Sequence, residues 1–123
     1  MGRKKPKRLR LFHATPKSNV NKMLKSGRVR GFFTKKFRGD NSATYYARVR
    51  KAEGARSTVI IEVSAARGQL RKGYRGGYDP AAFVPRKRKG GRFLDSSQIV
   101  AVHEFDVNKG WVRRPIRKKK KKP

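Results

Sequence analysis

Cysteine does not occur in the 123 residues, and acids are scarce: seven Asp and Glu stand against 36 Lys and Arg. The first absence removes disulfides, thiolate metal sites and cysteine nucleophiles together. Histidine occurs only at positions 13 and 103, too few ligands for a zinc site, so no metal is expected. No apolar run exceeds a handful of residues. The sequence therefore offers neither a membrane span nor a secretory signal, and an intracellular location is expected, cytoplasmic or, in a eukaryote, nuclear. The basic amphipathic helix that an anionic membrane surface would select is also missing. The scarcity of acid leaves a formal charge of +29, a statement about partners rather than fold. The expected partner is a polyanion, with nucleic acid the first class and RNA ranked ahead of DNA. The protein itself is expected to be a monomer without a membrane partner.

The charge is concentrated at the ends without being confined to them. MGRKKPKRLR at the start carries six basic residues and no acid, and RRPIRKKKKK at 113–122 carries eight and no acid. Like charges repel and nothing in these runs can be buried, so 1–8 and 113–123 read as disordered basic arms around one domain at 9–112. Arg3, Lys4, Lys5, Lys7 and Arg8 in the first, and Arg113, Arg114, Arg117, Lys118 and Lys119 in the second, are candidate phosphate contacts. Such runs also serve as nuclear-import signals or as merely solvated ends. The middle remains at +15, so the domain is basic in its own right. Arg86, Lys87, Arg88, Lys89 and Arg92 form a third cluster, expected on a loop.

Patterning in the middle is short-range. LRLFH over 9–13 alternates as a strand with Leu9, Leu11 and His13 on one face. Ser18 can cap a helix whose Val20, Met23 and Leu24 share a stripe, and Gly27 can end it. GFFT over 31–34 reads as a second strand. Asn41 or Ser42 can cap a second helix with Ala43, Tyr46 and Ala47 inward, closed by Gly54. TVIIEV over 58–63 is β-branched almost throughout and reads as the strongest strand. The stretch 65–92 is rich in Gly, Arg and Tyr and reads as a long loop. QIVAVHEFDV over 98–107 alternates again, with Ile99, Ala101, His103, Phe105 and Val107 on one face. His103 is expected to pack in the core, Trp111 at the domain's edge, and Glu62 and Glu104 in salt bridges to arginine. The fold class is α+β.

LFHAT, a helix ending in glycine, GFFT, NSATYYA, TVIIEV and the closing FLDSSQIVAVHEFDV, in this order and spacing, resemble the core of the ADP-ribosyltransferases. The likeness is to the poly-ADP-ribosyl polymerase branch and the small rifampin-modifying transferases, and it covers roughly 9–107. It implies a small split β-sheet core with two short helices. It also implies NAD as cofactor and transfer of ADP-ribose to nucleic acid or to something bound beside it. RNA 2′-phosphotransferases share this fold, so removal of an RNA phosphate is a variant. By resemblance His13 would bond the adenine-side ribose, the backbone near Ala14 would meet the nicotinamide amide, and Thr15 would support that turn. Tyr45 would stack on nicotinamide, Ser42 would bond its carboxamide, and Phe32 or Phe33 would form the opposite wall.

Three departures from that pattern stand out. Ala14 replaces a glycine, phenylalanine replaces the strand tyrosine, and 89–92 (KGGR) has no carboxylate where the polymerase branch has glutamate. The acids available instead are Asp79, in GYDP, and Asp95. The catalytic set implied is therefore His13, Tyr45, Asp79 and Asp95. The alternative reading is a non-enzymatic, ribosome-associated RNA-binding protein that keeps a degenerate form of this fold. A toxin module cut from a larger effector also fits the size.

Overall fold

In the computed structural model, which describes residues 8–38, 42–52, 57–72 and 82–116, the chain opens with strand β1 (Arg8–Pro16) and runs directly into helix α1 (Lys17–Ser26). Two short strands follow, β2 (Arg28–Val29) and β3 (Phe33–Thr34), then helix α2 (Ala43–Ala52) and strand β4 (Thr58–Ala66). Among the described residues the second half adds strands β5 (Leu70–Lys72), β6 (Ala82–Pro85), β7 (Lys87–Arg88), β8 (Gly91–Arg92), β9 (Leu94–Asp95), β10 (Ile99–Asp106) and β11 (Gly110–Pro115), with single 3-10 turns at Arg67–Gln69 and Ser96–Gln98. The fold is α+β. No helix among the described residues is long and apolar enough to cross a membrane.

Seven strands form one sheet in the order β11-β10-β4-β1-β3-β6-β5, with every pairing antiparallel. β1 and β4 pair along nine residues, from Arg8–Ala66 to Pro16–Thr58. By contrast β1 meets β3 at a single pair, Phe12–Thr34. The sheet therefore consists of a long four-stranded part and a short three-stranded part, hinged at Phe12.

A helix covers each face, which explains why β4 is buried almost continuously rather than at alternate residues. On one side Leu11, Val59, Ile61, Val63 and Ile99 pack with Val20 of α1 and with Phe33 and Leu94. On the other, Ala14 and Ile60 pack with Ala43 and Ala47 of α2, flanked by Phe12, Phe37, Tyr46 and Trp111. Fully burying each large apolar side chain contributes roughly 1.5–3 kcal/mol, so the first cluster is the main source of stability.

Several expectations are corrected. Ser18 does not cap α1: the helix begins at Lys17 with Pro16 before it and no side-chain cap, while the Lys17 N–H donates to the Ser57 carbonyl at 2.9 Å. Proline already holds φ near the helical value, and the Ser57 carbonyl just before β4 supplies the acceptor that a cap would have provided. Leu24 lies 47% exposed on the flank of α1, outside the Val20–Met23 stripe. Gly27 does close the helix, in the left-handed region at φ 74°. The stretch 65–92 is not one long loop, since it contains β5 to β8, and Lys87–Arg92 and Arg88–Gly91 pair as a hairpin. Arg8, Arg113 and Arg114 belong to β1 and β11 rather than to the arms. Gly54 lies outside the described residues.

The face assigned to 99–107 changes hands within the strand. Ile99 pairs with Val63, but a bulge at position 100 brings Ala101 opposite Glu62 and His103 opposite Ile60. One extra residue reverses the alternation. Ile99 therefore packs on the α1 side while His103 lies on the α2 side, beside Phe12 and Phe37. Phe105 runs on past the cover of α2, and Val107 sits in the turn, 87% exposed.

Candidate functional site

Strand parity builds the candidate site. Leu9, Leu11, His13 and Thr15 alternate along β1 on the α1 side, and where β1 parts from β3 the last two line a groove of about 430 Å³. That volume lies within the range of small-molecule sites. Lys22 of α1, Arg28 of β2 and Arg30 line the same groove, so its rim is cationic. Thr15 is almost fully buried and accepts a hydrogen bond from the Asn19 side chain at 3.3 Å.

His13 is held from two directions. Its Nδ1 lies 2.8 Å from the Phe32 carbonyl oxygen, which can only accept, so Nδ1 carries the proton. The ring lies close enough to Gly31 that a Cβ there would come within 2.7 Å of His13 Cε1. Gly31 also sits at φ +116°, where other residues are strained. The chain thus places a glycine where the imidazole needs room and a carbonyl where it needs an acceptor.

From His13 a row of rings leads across the domain. The His13 and Phe32 centroids are 6.4 Å apart, Phe32 and Tyr46 5.0 Å, and Tyr46 and Tyr45 5.3 Å. Tyr45 is 40% exposed at the far end. Tyr46, inward as expected, packs against the cluster of Ala14, Ala43, Ala47 and Ile60, and the row connects His13 to Tyr45 although neither Phe32 nor Tyr45 lines the groove that holds His13.

Phe33 is corrected: it is fully buried, pairs with Phe83 in the sheet, and supports His13 from beneath at 5.4 Å instead of walling the groove. Ser42 is corrected as well. It is completely buried, its Oγ accepts from the Tyr45 N–H at 3.3 Å and lies 3.1 Å from Thr44 Oγ1, so it caps α2 and presents nothing to a ligand. Ala14 carries its methyl to the opposite face, into the cluster with Ala43 and Ala47, so its replacement of glycine does not intrude on the groove.

Of the two candidate acids, Asp79 lies outside the described residues. Asp95 pairs with Arg28 in the β2–β9 ladder, and its carboxylate lies 3.4 Å from Arg88. It is thus behind the groove's rim and engaged by a guanidinium. Arg28, Arg30 and Arg88 gather over the Phe93 ring, with guanidinium carbons 4.6, 5.7 and 4.5 Å from its centroid. The flat ring is almost fully buried under them. Sequence reasoning missed Arg28 and Arg30. The available signal was their spacing of two around Val29, just before a glycine, which in extended chain puts both on one face.

The basic loop resolves into distinct roles. Arg86 donates to the Leu70 carbonyl at 3.0 Å and Arg92 to the Pro85 carbonyl at 3.4 Å, whereas Lys87 and Lys89 are exposed. Arg8 donates to Ser64, and Arg114 lies 3.5 Å from Glu104. Arg3, Lys4, Lys5, Lys7, Arg117, Lys118 and Lys119 lie outside the described residues.

On the α2 side a second polar assembly is closed on itself. Glu62, nearly inaccessible in the sheet, accepts from His103 at 2.7 Å, from Arg113 at 3.0 and 3.2 Å, and from Arg10. Burial pushes its carboxyl upward, but the hydrogen bonds from Arg113, Arg10 and His103 outweigh that and hold the pKa down at about 2. Arg113 is raised in turn, by its hydrogen bonds to Glu62. This cluster joins four strands and is structural. No protein-family model, curated protein or solved structure matches the chain.

Proposed function

We propose that this protein binds NAD in the groove over β1 and transfers ADP-ribose to nucleic acid, RNA before DNA, in a small domain of the ADP-ribosyltransferase kind. One observation carries the reading: His13 and Thr15 lie together in a groove that Lys22, Arg28 and Arg30 also line. A dinucleotide offers ribose hydroxyls and a diphosphate, and this groove offers hydrogen-bonding groups beside cations. The division of the sheet at Phe12, with His13 next to it, supports the split-sheet reading.

NAD, when bound, supplies a glycosidic bond between nicotinamide and ribose that breaks with oxocarbenium character. His13, fixed by the Phe32 carbonyl, and Thr15 would orient the ribose. Lys22, Arg28 and Arg30 would hold the diphosphate, and Phe32 with Tyr45, joined to His13 by the row of rings but outside the groove lining, would provide flat faces where the dinucleotide leaves the groove. The exposed cations Lys87 and Lys89, the arms at either end, and the net charge of +29 would hold a phosphate backbone nearby.

A second reading has its own observation. Asp95 is engaged by Arg88, which favours a non-enzymatic RNA-binding protein with the same groove. Radiolabelled NAD, incubated with full-length protein with and without RNA or DNA, separates the two. Label on nucleic acid, lost in Tyr45→Ala and Arg30→Ala, establishes the transferase; both side chains are exposed, so both variants fold. Arg30→Ala should also weaken NAD binding about 10- to 100-fold, the loss of charged hydrogen bonds. No label, no released nicotinamide and no NAD binding would leave the RNA-binding reading standing.

A further inference from the structure

A second groove, larger than the one that holds His13, is present among the described residues. It lies on the α2 side, at the end of the sheet where β4 starts and β10 turns into β11, and encloses about 680 Å³. Phe105, 59% exposed, and Trp111 meet there edge to face at 5.5 Å. Lys17, Arg38 and Arg48 line its sides. Glu104 is the acid in the lining, with Lys17 3.5 Å away on one side and Arg114 3.5 Å away on the other. Thr58 lines the floor, and its Oγ1 is buried without a hydrogen-bond partner.

From this arrangement we infer that the groove is a docking surface for single-stranded nucleic acid, with a base stacked on Phe105 and Trp111. The chemistry is specific on two counts. A large aromatic side chain left exposed on a chain of net charge +29 is poorly placed for a cationic partner and well placed for an anionic one with flat rings. Arg38 and Arg48 stand where a sugar-phosphate backbone would pass beside a stacked base. A duplex keeps its bases stacked on one another and offers no such face, so the surface selects unpaired strand. The groove lies across the sheet from His13: Thr15 lines one and Lys17, two residues on, lines the other. The inference concerns binding alone and stands whether or not the His13 groove takes NAD.

Trp111 is the only tryptophan in the chain and reports on the groove directly. Full-length protein is titrated at about 0.2 M salt, where nonspecific phosphate contacts are weakened, with an oligouridylate of about 12 nucleotides. An RNA duplex of equal length and vesicles containing phosphatidylserine are titrated in parallel, and NAD is left out. Binding is followed both by Trp111 emission and by anisotropy of a labelled strand. The expected result is quenching of Trp111 by the single strand. Phe105→Ala, at an exposed position and with its fold checked by circular dichroism, should weaken that binding roughly 5- to 150-fold and leave duplex binding little changed. Three results would overturn the inference: unmoved Trp111 emission at saturation, equal losses for strand and duplex, or a Trp111 response confined to the vesicles.

Discussion

Replacing Glu62 by glutamine tests the energetic centre of the four-strand part. Glu62 is the one acid among the described residues that is both nearly inaccessible and hydrogen-bonded through both oxygens. Its pKa is held at about 2 in the folded chain against an ordinary value of 4.5. At roughly 1.4 kcal/mol per pH unit, that difference corresponds to about 3 kcal/mol favouring the folded state when the carboxylate is ionised. The sign follows from the depression. Stability from this group is complete above pH 4.5, where even the unfolded chain is ionised, and declines as pH falls through 4.5 toward about 2. Glutamine keeps the shape but brings its own N–H donors to face the guanidiniums and His103. Arg10 and Arg113 are half-exposed and can turn to water, which keeps the loss near 3 kcal/mol rather than at the top of the range for a broken buried pair.

Urea unfolding followed by Trp111 emission, from about pH 7 to about pH 2.5 in roughly 0.2 M salt, reads this directly. Wild type should hold a plateau to about pH 5 and then lose about 3 kcal/mol more than Glu62→Gln does over the acid range. The variant should start lower by a similar amount at neutral pH. Comparison with the variant cancels the general repulsion that builds as the other carboxylates are protonated. Parallel curves for the two proteins, with equal acid limbs, would refute the reasoning and reduce the cluster to a surface network.

Two further outcomes test the site and its support. Gly31→Ala places a methyl within 2.7 Å of the His13 ring at φ +116°, so it should cost about 1–3 kcal/mol and move the His13 imidazole signals in NMR spectra. Unchanged signals would mean the ring is not held as described. Gly27→Ala meets nothing within 4 Å, so its cost is backbone strain alone, about 1–2 kcal/mol in urea unfolding, with Gly27→Asn recovering most of it. An equal loss in both variants would point to something other than the left-handed cap.

What is legible in the sequence follows from how far local pattern governs each element. β4 is legible because β-branched residues run almost unbroken, and the α2 start because Ser42 precedes an Ala-containing stripe. Salt bridges for Glu62 and Glu104 are legible from charge balance alone. The β7–β8 hairpin is not, because it has almost no buried face: Lys87, Arg88 and Arg92 are all exposed, so no apolar period marks it. β6 is hidden by Pro85, which reads as loop but here stands at the end of a short strand paired with Leu70. The face of 99–107 fails for a reason no period can reveal, since a single bulged residue reverses every side chain beyond it.

The candidate site divides along the same line. Parity on β1 is local, so alternation alone puts Leu9, Leu11 and His13 on one face, and Thr15 continues the row. The same parity sends Arg10, Phe12 and Ala14 to the α2 side, where Arg10 meets Glu62 and Ala14 meets Ala43 and Ala47. Ala14 therefore bears on helix packing, and its departure from glycine does not weigh against the groove. Which of Phe32 and Phe33 faces His13's surface is not readable from two adjacent phenylalanines, because it depends on the non-local pairing of β3 with β6. That pairing sends Phe33 inward opposite Phe83, and Phe32 is left to join His13 to the tyrosines. One strand thus serves the core with one half of its length and the groove with the other, and the change occurs at Phe12, where β3 leaves it.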